Sequence, residues 1–326
     1  MKAWLVNQWG EPEDMILGET ADRMPARGEV RIRNHAAAVN FFDVLQIQGK
    51  YQVKPPFPFT PGAEVAGVID AVGEGVTEFT PGQRVTAMSQ GGGFAEAAVC
   101  PANRVFSIPD SMNWEAAAAL PIVYQTSWFA LDHRGKLREG EWMLVHAGSS
   151  GVGMSAIQIG KAMGAKIIAT ASTPEKRAFC LAQGADHAID YAEPSWVDQV
   201  KQLTGGRGAD VIYDPVGGDA FDLSSKCIAS EGRHLVIGFA SGRIPSMTAN
   251  RALLKNMSLV GVFWGGYTGT HPAYIAETHG VLMRMFAEGK INPVVTKSWP
   301  FAETPAALRS LANRQAIGKV VLRIGG

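Results

Sequence analysis

The stretch Glu141-Trp142-Met143-Leu144-Val145-His146-Ala147, running into Gly148-Ser149-Ser150-Gly151-Val152-Gly153, decides the fold. An apolar run ends in a glycine-dense turn. Met154 to Gly164 then repeats small and apolar residues at helical spacing, and a second apolar run, Lys166-Ile167-Ile168-Ala169-Thr170, follows. That order reads as a β-α-β unit. At its turn a strand must reverse tightly into a helix while backbone N–H groups stay open to an anion, so side chains are disfavoured and glycine is selected. The strict dinucleotide fingerprint is G-x-G-x-x-G. Here Gly148 and Gly153 hold the outer places and Ser150 takes the middle one. A rival reading, the nucleophile elbow G-x-S-x-G, is disfavoured because position 152 is valine and no acid and histidine follow in the places a hydrolase requires.

Working outward, 326 residues exceed the usual single core and indicate two domains. Lysine plus arginine equals aspartate plus glutamate at 30 each, which removes any electrostatic reason to expect nucleic acid or an anionic membrane. The expected partner is a small molecule. The N-terminal apolar run is too short for a signal peptide, and the apolar stretch Ala116 to Leu131 is broken by Pro121 and by Tyr124-Gln125-Thr126, so a soluble, cytoplasmic protein is expected. Cys100, Cys180 and Cys227 form no pair motif, and the histidines are scattered, so no metal is expected.

Before the β-α-β unit, short β patterns such as Glu29–Arg33, Glu64–Asp70 and Arg84–Met88 alternate with glycine and proline punctuation, which implies a compact, partly closed β domain. A helical run from Trp114 to Leu120, capped at Ser111 or Asn113, and a second from Thr126 to Leu131 mark the hinge. After it, strands are expected at Met143–Ala147, Lys166–Thr170, His187–Ile189, Asp210–Tyr213, His234–Ile237 and Ser258–Val262, with helices between them. Regular alternation means a doubly wound parallel sheet of the Rossmann kind, with its ligand at the carboxyl ends of the strands. The tail carries a helical pattern at Tyr274–Ala287, an extended run to Pro300, a helix from Pro305 and a last strand at Lys319–Ile324.

The end of the second strand identifies the cofactor. An NAD site normally places a carboxylate there for the ribose hydroxyl, whereas this chain has Ala171-Ser172-Thr173 with Lys176 and Arg177 close behind. Hydroxyls and a cation suit a 2′-phosphate, so the expectation is NADPH.

Together these residues resemble the medium-chain dehydrogenase/reductase superfamily, and within it the zinc-free quinone oxidoreductase (zeta-crystallin-like) branch. The matching stretches are Val39-Asn40-Phe41-Phe42-Asp43, Pro61-Gly62-Ala63-Glu64-Val65-Ala66-Gly67-Val68, Gly82-Gln83-Arg84-Val85, Leu120-Pro121, His146 to Gly153 and Gly318-Lys319-Val320. The resemblance implies a GroES-like catalytic domain, residues 1–123 plus 266–326, with a Rossmann domain, residues 124–265, inserted in it. Zinc-dependent relatives carry a cysteine where this chain has Asn40 and a histidine where it has Ala63, so metal-assisted alcohol chemistry is not expected.

What remains is hydride delivery from NADPH to an acceptor that is already electrophilic, a quinone or an enone. The resemblance implies that Asn40 and Tyr51 line the acceptor, that Thr126 faces the cofactor, and that Ser149, Ser150, Gly151 and Val152 cradle its pyrophosphate. It further implies Ser172, Lys176 and Tyr191 around the 2′-phosphate. Gly238, Phe239, Ala240, Val262, Phe263 and Trp264 then wall the nicotinamide, the last two in a loop mouth beside Gly265-Gly266, and Lys319 reaches the cofactor from the tail. A homodimer paired through the strand at Ser258–Val262 is also expected. Reduction of an enone or enoyl thioester is the alternative activity, with Tyr51 as its acid, and a structural or RNA-associated NADPH-binding protein without turnover is the second alternative.

Overall fold

The computed structural model describes residues 1–325, which divide into two compact units: Val123–Asn292, and Met1–Ile122 together with the chain from Pro293. In the first of these, the strands are β1 (Trp142–Val145), β2 (Lys166–Thr170), β3 (His187–Ile189), β4 (Ala209–Asp214), β5 (Ile228–Val236) and β6 (Ser258–Gly261). They form a six-stranded sheet in the order β3-β2-β1-β4-β5-β6, every pair parallel. Helices cover such a sheet on both faces, which is why Met143–Val145, Ile167–Ala169 and Val211–Tyr213 read as unbroken apolar runs and are all fully buried. The order reverses between β1 and β4, and the turn after β1 therefore lies at the topological switch point. β5 begins earlier than its apolar pattern suggests, because Ser230-Glu231-Gly232 interrupts that pattern, with Glu231 at φ 61°.

The helix after β1 is α1 (Gly151–Ala162), and the one after β2 is α2 (Pro174–Ala182). Small residues let α1 lie close on the sheet: a Cβ on Gly160 would meet Met143 Cε at 2.3 Å. The expected helix at Thr126–Leu131 is a longer one, Pro121–Trp128, that continues into a π turn at Phe129–Arg134.

In the other unit, a seven-stranded sheet runs in the order Lys297–Pro300, Val320–Arg323, Glu29–Val39, Glu64–Val72, Arg84–Met88, Val105–Ser107, with Ala97–Pro101 also paired to Glu29–Val39. Val30, Ile32, Val65, Ile69, Val85, Phe94, Leu308 and Leu322 fill its core. Two strand pairings gather three polar residues. Val320 lies opposite Val39, and Ala37 opposite Val65, in antiparallel register, so Asn40, Glu64 and Lys319 come to one end of three neighbouring strands. A helix at Phe41–Ile47, which the β-rich pattern conceals, follows Asn40 directly.

One expectation is corrected here. The second change of unit falls after Asn292 instead of at 265/266, so Ala273–Ala287 belongs with the nucleotide-type sheet. The reason is a side chain in α1. Gln158 donates to the Asn292 carbonyl at 2.9 Å and accepts the Asn292 N–H at 2.9 Å, binding that backbone to the sheet-covering helix.

Candidate functional site

Two sets of polar groups, one in each unit, are the candidates for binding and chemistry. In the parallel-sheet unit, Ser150 is the cap of α1: its Oγ accepts the Gly153 N–H at 3.1 Å and donates to the Ala147 carbonyl at 2.8 Å. This explains the serine in the middle of the fingerprint, since its hydroxyl satisfies one of the open donors of the first turn. Among the described residues the N–H groups of Gly151 and Val152 meet no acceptor, as is usual for the first turn of a helix. The outer glycines are required by approach distance. A Cβ on Gly153 would lie 2.2 Å from the Ala147 carbonyl oxygen, and one on Gly148 would meet Ala169 Cβ at 2.8 Å and Cys180 Sγ at 2.9 Å. Ser149 is buried beside them.

Around this turn, Ser172 is half-buried at the end of β2, and Thr173 caps α2 by accepting the Lys176 N–H at 3.2 Å. Arg177 is committed within the protein: it bonds Asp190 at 2.7 Å and the carbonyls of Ala171 and Ser172 at 3.3 and 3.1 Å. Tyr191 and Phe239 are exposed, at 43% and 38%.

The segment Gly238–Ala240 is held by backbone bonds, with the Ala240 N–H donating to the Pro215 carbonyl at 3.0 Å and Ser241 to Val216 at 2.9 Å. Asp214 anchors that partner loop, accepting from the Val216 and Gly217 N–H groups at 2.8 and 2.9 Å, while its other oxygen meets His234 Nε2 at 3.0 Å. Burial works to raise the Asp214 carboxyl, but the His234 bond and neighbouring imidazoles outweigh it and hold it low. Val262 is buried and Phe263 is 62% exposed.

Trp264 opens a short helix, Trp264–Thr270, which corrects the expectation of a loop mouth. Gly266 serves close packing instead: a Cβ there would strike the Phe263 ring at 2.4 Å. Thr126 is half-buried within its helix.

In the other unit, Asn40, Glu64 and Lys319 form a buried cluster. Lys319 Nζ donates to Asn40 Oδ1 at 2.7 Å and, more closely, to Glu64 Oε1, and Asn40 Nδ2 donates to the same Glu64 oxygen at 2.8 Å. The second Glu64 oxygen accepts the Ile122 N–H at 2.8 Å. Lys319, expected to reach a cofactor, has its ammonium inside this cluster. Asp43 stands one turn along from Asn40 and accepts the Asn40 N–H at 2.7 Å. Burial raises its carboxyl to about 7, with Glu64 adding to the rise, against the opposing pull of the Asn40 and Gly62 N–H groups and of Lys319. Tyr51 packs on Phe42 with ring centroids 5.4 Å apart, and burial, then the Asp43 charge, push its hydroxyl up.

Sequence reasoning names none of Glu64, Asp43 and Asp214 as a candidate, although each is buried and bonded within these two sets. A signal existed for each: an acid heading an apolar strand, an acid at the third position of a helix opening on asparagine, and an acid closing a buried strand.

Two family models match the chain, the alcohol dehydrogenase GroES-like domain over residues 26–110 and the zinc-binding dehydrogenase over 151–279. The quinone oxidoreductase-like protein 2 homolog of Nematostella vectensis is 37% identical over 327 residues, covering 98% of this chain and 88% of that protein. The chain belongs to the quinone oxidoreductase branch of the medium-chain dehydrogenase/reductase superfamily. The Escherichia coli quinone oxidoreductase, solved in complex with NADPH, superposes with a TM-score of 0.92 at 29% identity over 99% of this chain and 100% of that one. The CurK enoyl reductase does so with a TM-score of 0.90 at 26% identity over 99% of each chain.

The name of the second model raises zinc, and the residues here do not fit it. Zinc takes thiolate, imidazole or carboxylate ligands. At the place of interest an ammonium occupies the lone pairs of one amide and one carboxylate, and no group of three or more potential ligands exists among the described residues.

Proposed function

We propose that this protein is an NADPH-dependent reductase that delivers a hydride to a quinone without a metal. The observation that carries this reading is the Lys319 ammonium bound between Asn40 and Glu64. Those oxygens are spent on a cation of the protein itself, so they hold no metal ion to activate a carbonyl and the acceptor must be electrophilic without one. The bound cofactor supplies the hydride. The N–H groups of Gly151 and Val152, with Ser149 and Ser150 alongside, hold its pyrophosphate. Ser172, Lys176 and Tyr191 receive the 2′-phosphate, which an acid at this strand end would repel. Thr126, Gly238–Ala240 and Val262–Trp264 orient the nicotinamide.

Asn40 and Tyr51 act on the acceptor. The raised Tyr51 hydroxyl remains protonated at neutral pH and donates a hydrogen bond, while the quinone takes up one hydride and one proton from solvent to become the hydroquinone. The same protonated hydroxyl favours a second reading, reduction of an enone or enoyl thioester, in which Tyr51 gives its proton to the α-carbon and regains one from water. The exposed Leu259 on edge strand β6 supports a homodimer, for which solution scattering at micromolar concentration should return twice the chain mass.

The deciding experiment is NADPH and NADH consumption against short quinones and enones, with and without a chelator. The expected result is NADPH-selective turnover of quinones that the chelator leaves unchanged. Loss of turnover on chelation refutes the metal-free chemistry, and tight NADPH binding with no turnover of any acceptor favours a non-enzymatic role.

A further inference from the structure

A lysine carries three N–H donors, and each of those on Lys319 meets an acceptor within its own unit: Asn40 Oδ1 at 2.7 Å, Glu64 Oε1, and the Val39 carbonyl at 3.5 Å. No donor is left over for a phosphate. The cluster also settles which way the Asn40 amide points. An ammonium only donates and a carboxylate only accepts, so the amide oxygen must face Lys319 and the amide nitrogen must face Glu64. A flipped amide would set nitrogen against ammonium and oxygen against carboxylate. Glu64 takes one of the two Nδ2 hydrogens and leaves the other.

We propose that Lys319 and Glu64 are positioning residues that lock the Asn40 amide so that its remaining Nδ2–H is offered to the oxygen of the acceptor, and that Lys319 is not a cofactor ligand. The inference rests on the reductase reading for the acceptor but not for the lock itself. It also accounts for a costly arrangement. A buried ion pair contributes little net stability compared with apolar residues of the same size, and a place in the site gives a reason to keep one.

The test uses the full chain and three variants, Lys319→Met, Glu64→Gln and the double variant. In Lys319→Met the Kd for NADPH, read by fluorescence titration, should stay within about twofold of wild type. With any acceptor that wild type turns over, kcat should fall on the order of 100-fold, the scale of loss when a reacting group is misplaced by an ångström. A tenfold or greater weakening of NADPH binding would make Lys319 a cofactor ligand and overturn the proposal, as would an unchanged kcat.

Each single variant leaves an unpaired buried charge, so the double variant should melt above both. Its kcat should stay low nonetheless, because a glutamine can donate to Asn40 and permits the flipped amide. Recovery of kcat together with stability would show that the pair acts only through the fold. Should wild type reduce no acceptor at all, the reductase reading fails, while NADPH affinity and the melting comparison still decide whether Lys319 is internal.

Discussion

Replacing Asp43 by asparagine isolates one buried carboxyl and puts a sign on its contribution to stability. Asp43 is fully buried, accepts the Asn40 N–H at 2.7 Å, and titrates near 7 in the fold against 3.8 for the free side chain. Burial drives that rise, and the nearby ammonium of Lys319 offsets it only in part. Between those two values the folded chain holds a proton that the unfolded chain has released, so stability falls as pH rises through this window and is flat outside it. The difference of about three units corresponds to a ceiling of ~4 kcal/mol.

Asparagine keeps an oxygen for the Asn40 N–H and cannot titrate. The unfolding free energy of Asp43→Asn minus that of wild type should therefore climb from pH 4 to pH 8, with most of the rise complete by pH 7. The subtraction matters because buried His146 and His279, both pushed down to about 4 chiefly by burial, act in the opposite sense. Their stabilisation is present above 6.5 and is lost as pH falls toward 4. Urea titrations of both proteins across this range supply the measurement. A difference that is flat or descending with pH would refute the reasoning.

Gly153→Ala brings a Cβ to 2.2 Å from the Ala147 carbonyl oxygen, so thermal unfolding should show a loss of about 1–3 kcal/mol and NADPH affinity should drop with it. Ser172→Asp places a carboxylate at the end of β2, and steady-state kinetics should move the NADPH over NADH preference toward NADH by at least about tenfold, or about 1.4 kcal/mol. Tyr51→Phe should abolish enone reduction and spare quinone reduction if the hydroxyl is the acid, and equal effects on both acceptors would remove that role. Arg177→Ala breaks the contact with Asp190 and should weaken NADPH binding less than Lys176→Ala does, a comparison that fluorescence titration can make directly.

What the sequence determined by itself was local. The Gly148 to Gly153 turn and the strand at Lys166–Thr170 are each specified within a few residues, by backbone sterics, side-chain period and the capping of open donors. The chain's matches to the superfamily likewise lay in short runs. Tertiary structure decided the rest. Lys319 meets Glu64 across 255 positions and Asn40 across 279, and strand register alone brings them together. No short window records that a lysine near the carboxyl end will be enclosed, that Arg177 will be taken by Asp190, or that Asn292 will be tied to Gln158. Propensity and pattern act between neighbours in the chain, whereas the partner of a buried charge is chosen by packing among residues that the chain holds far apart.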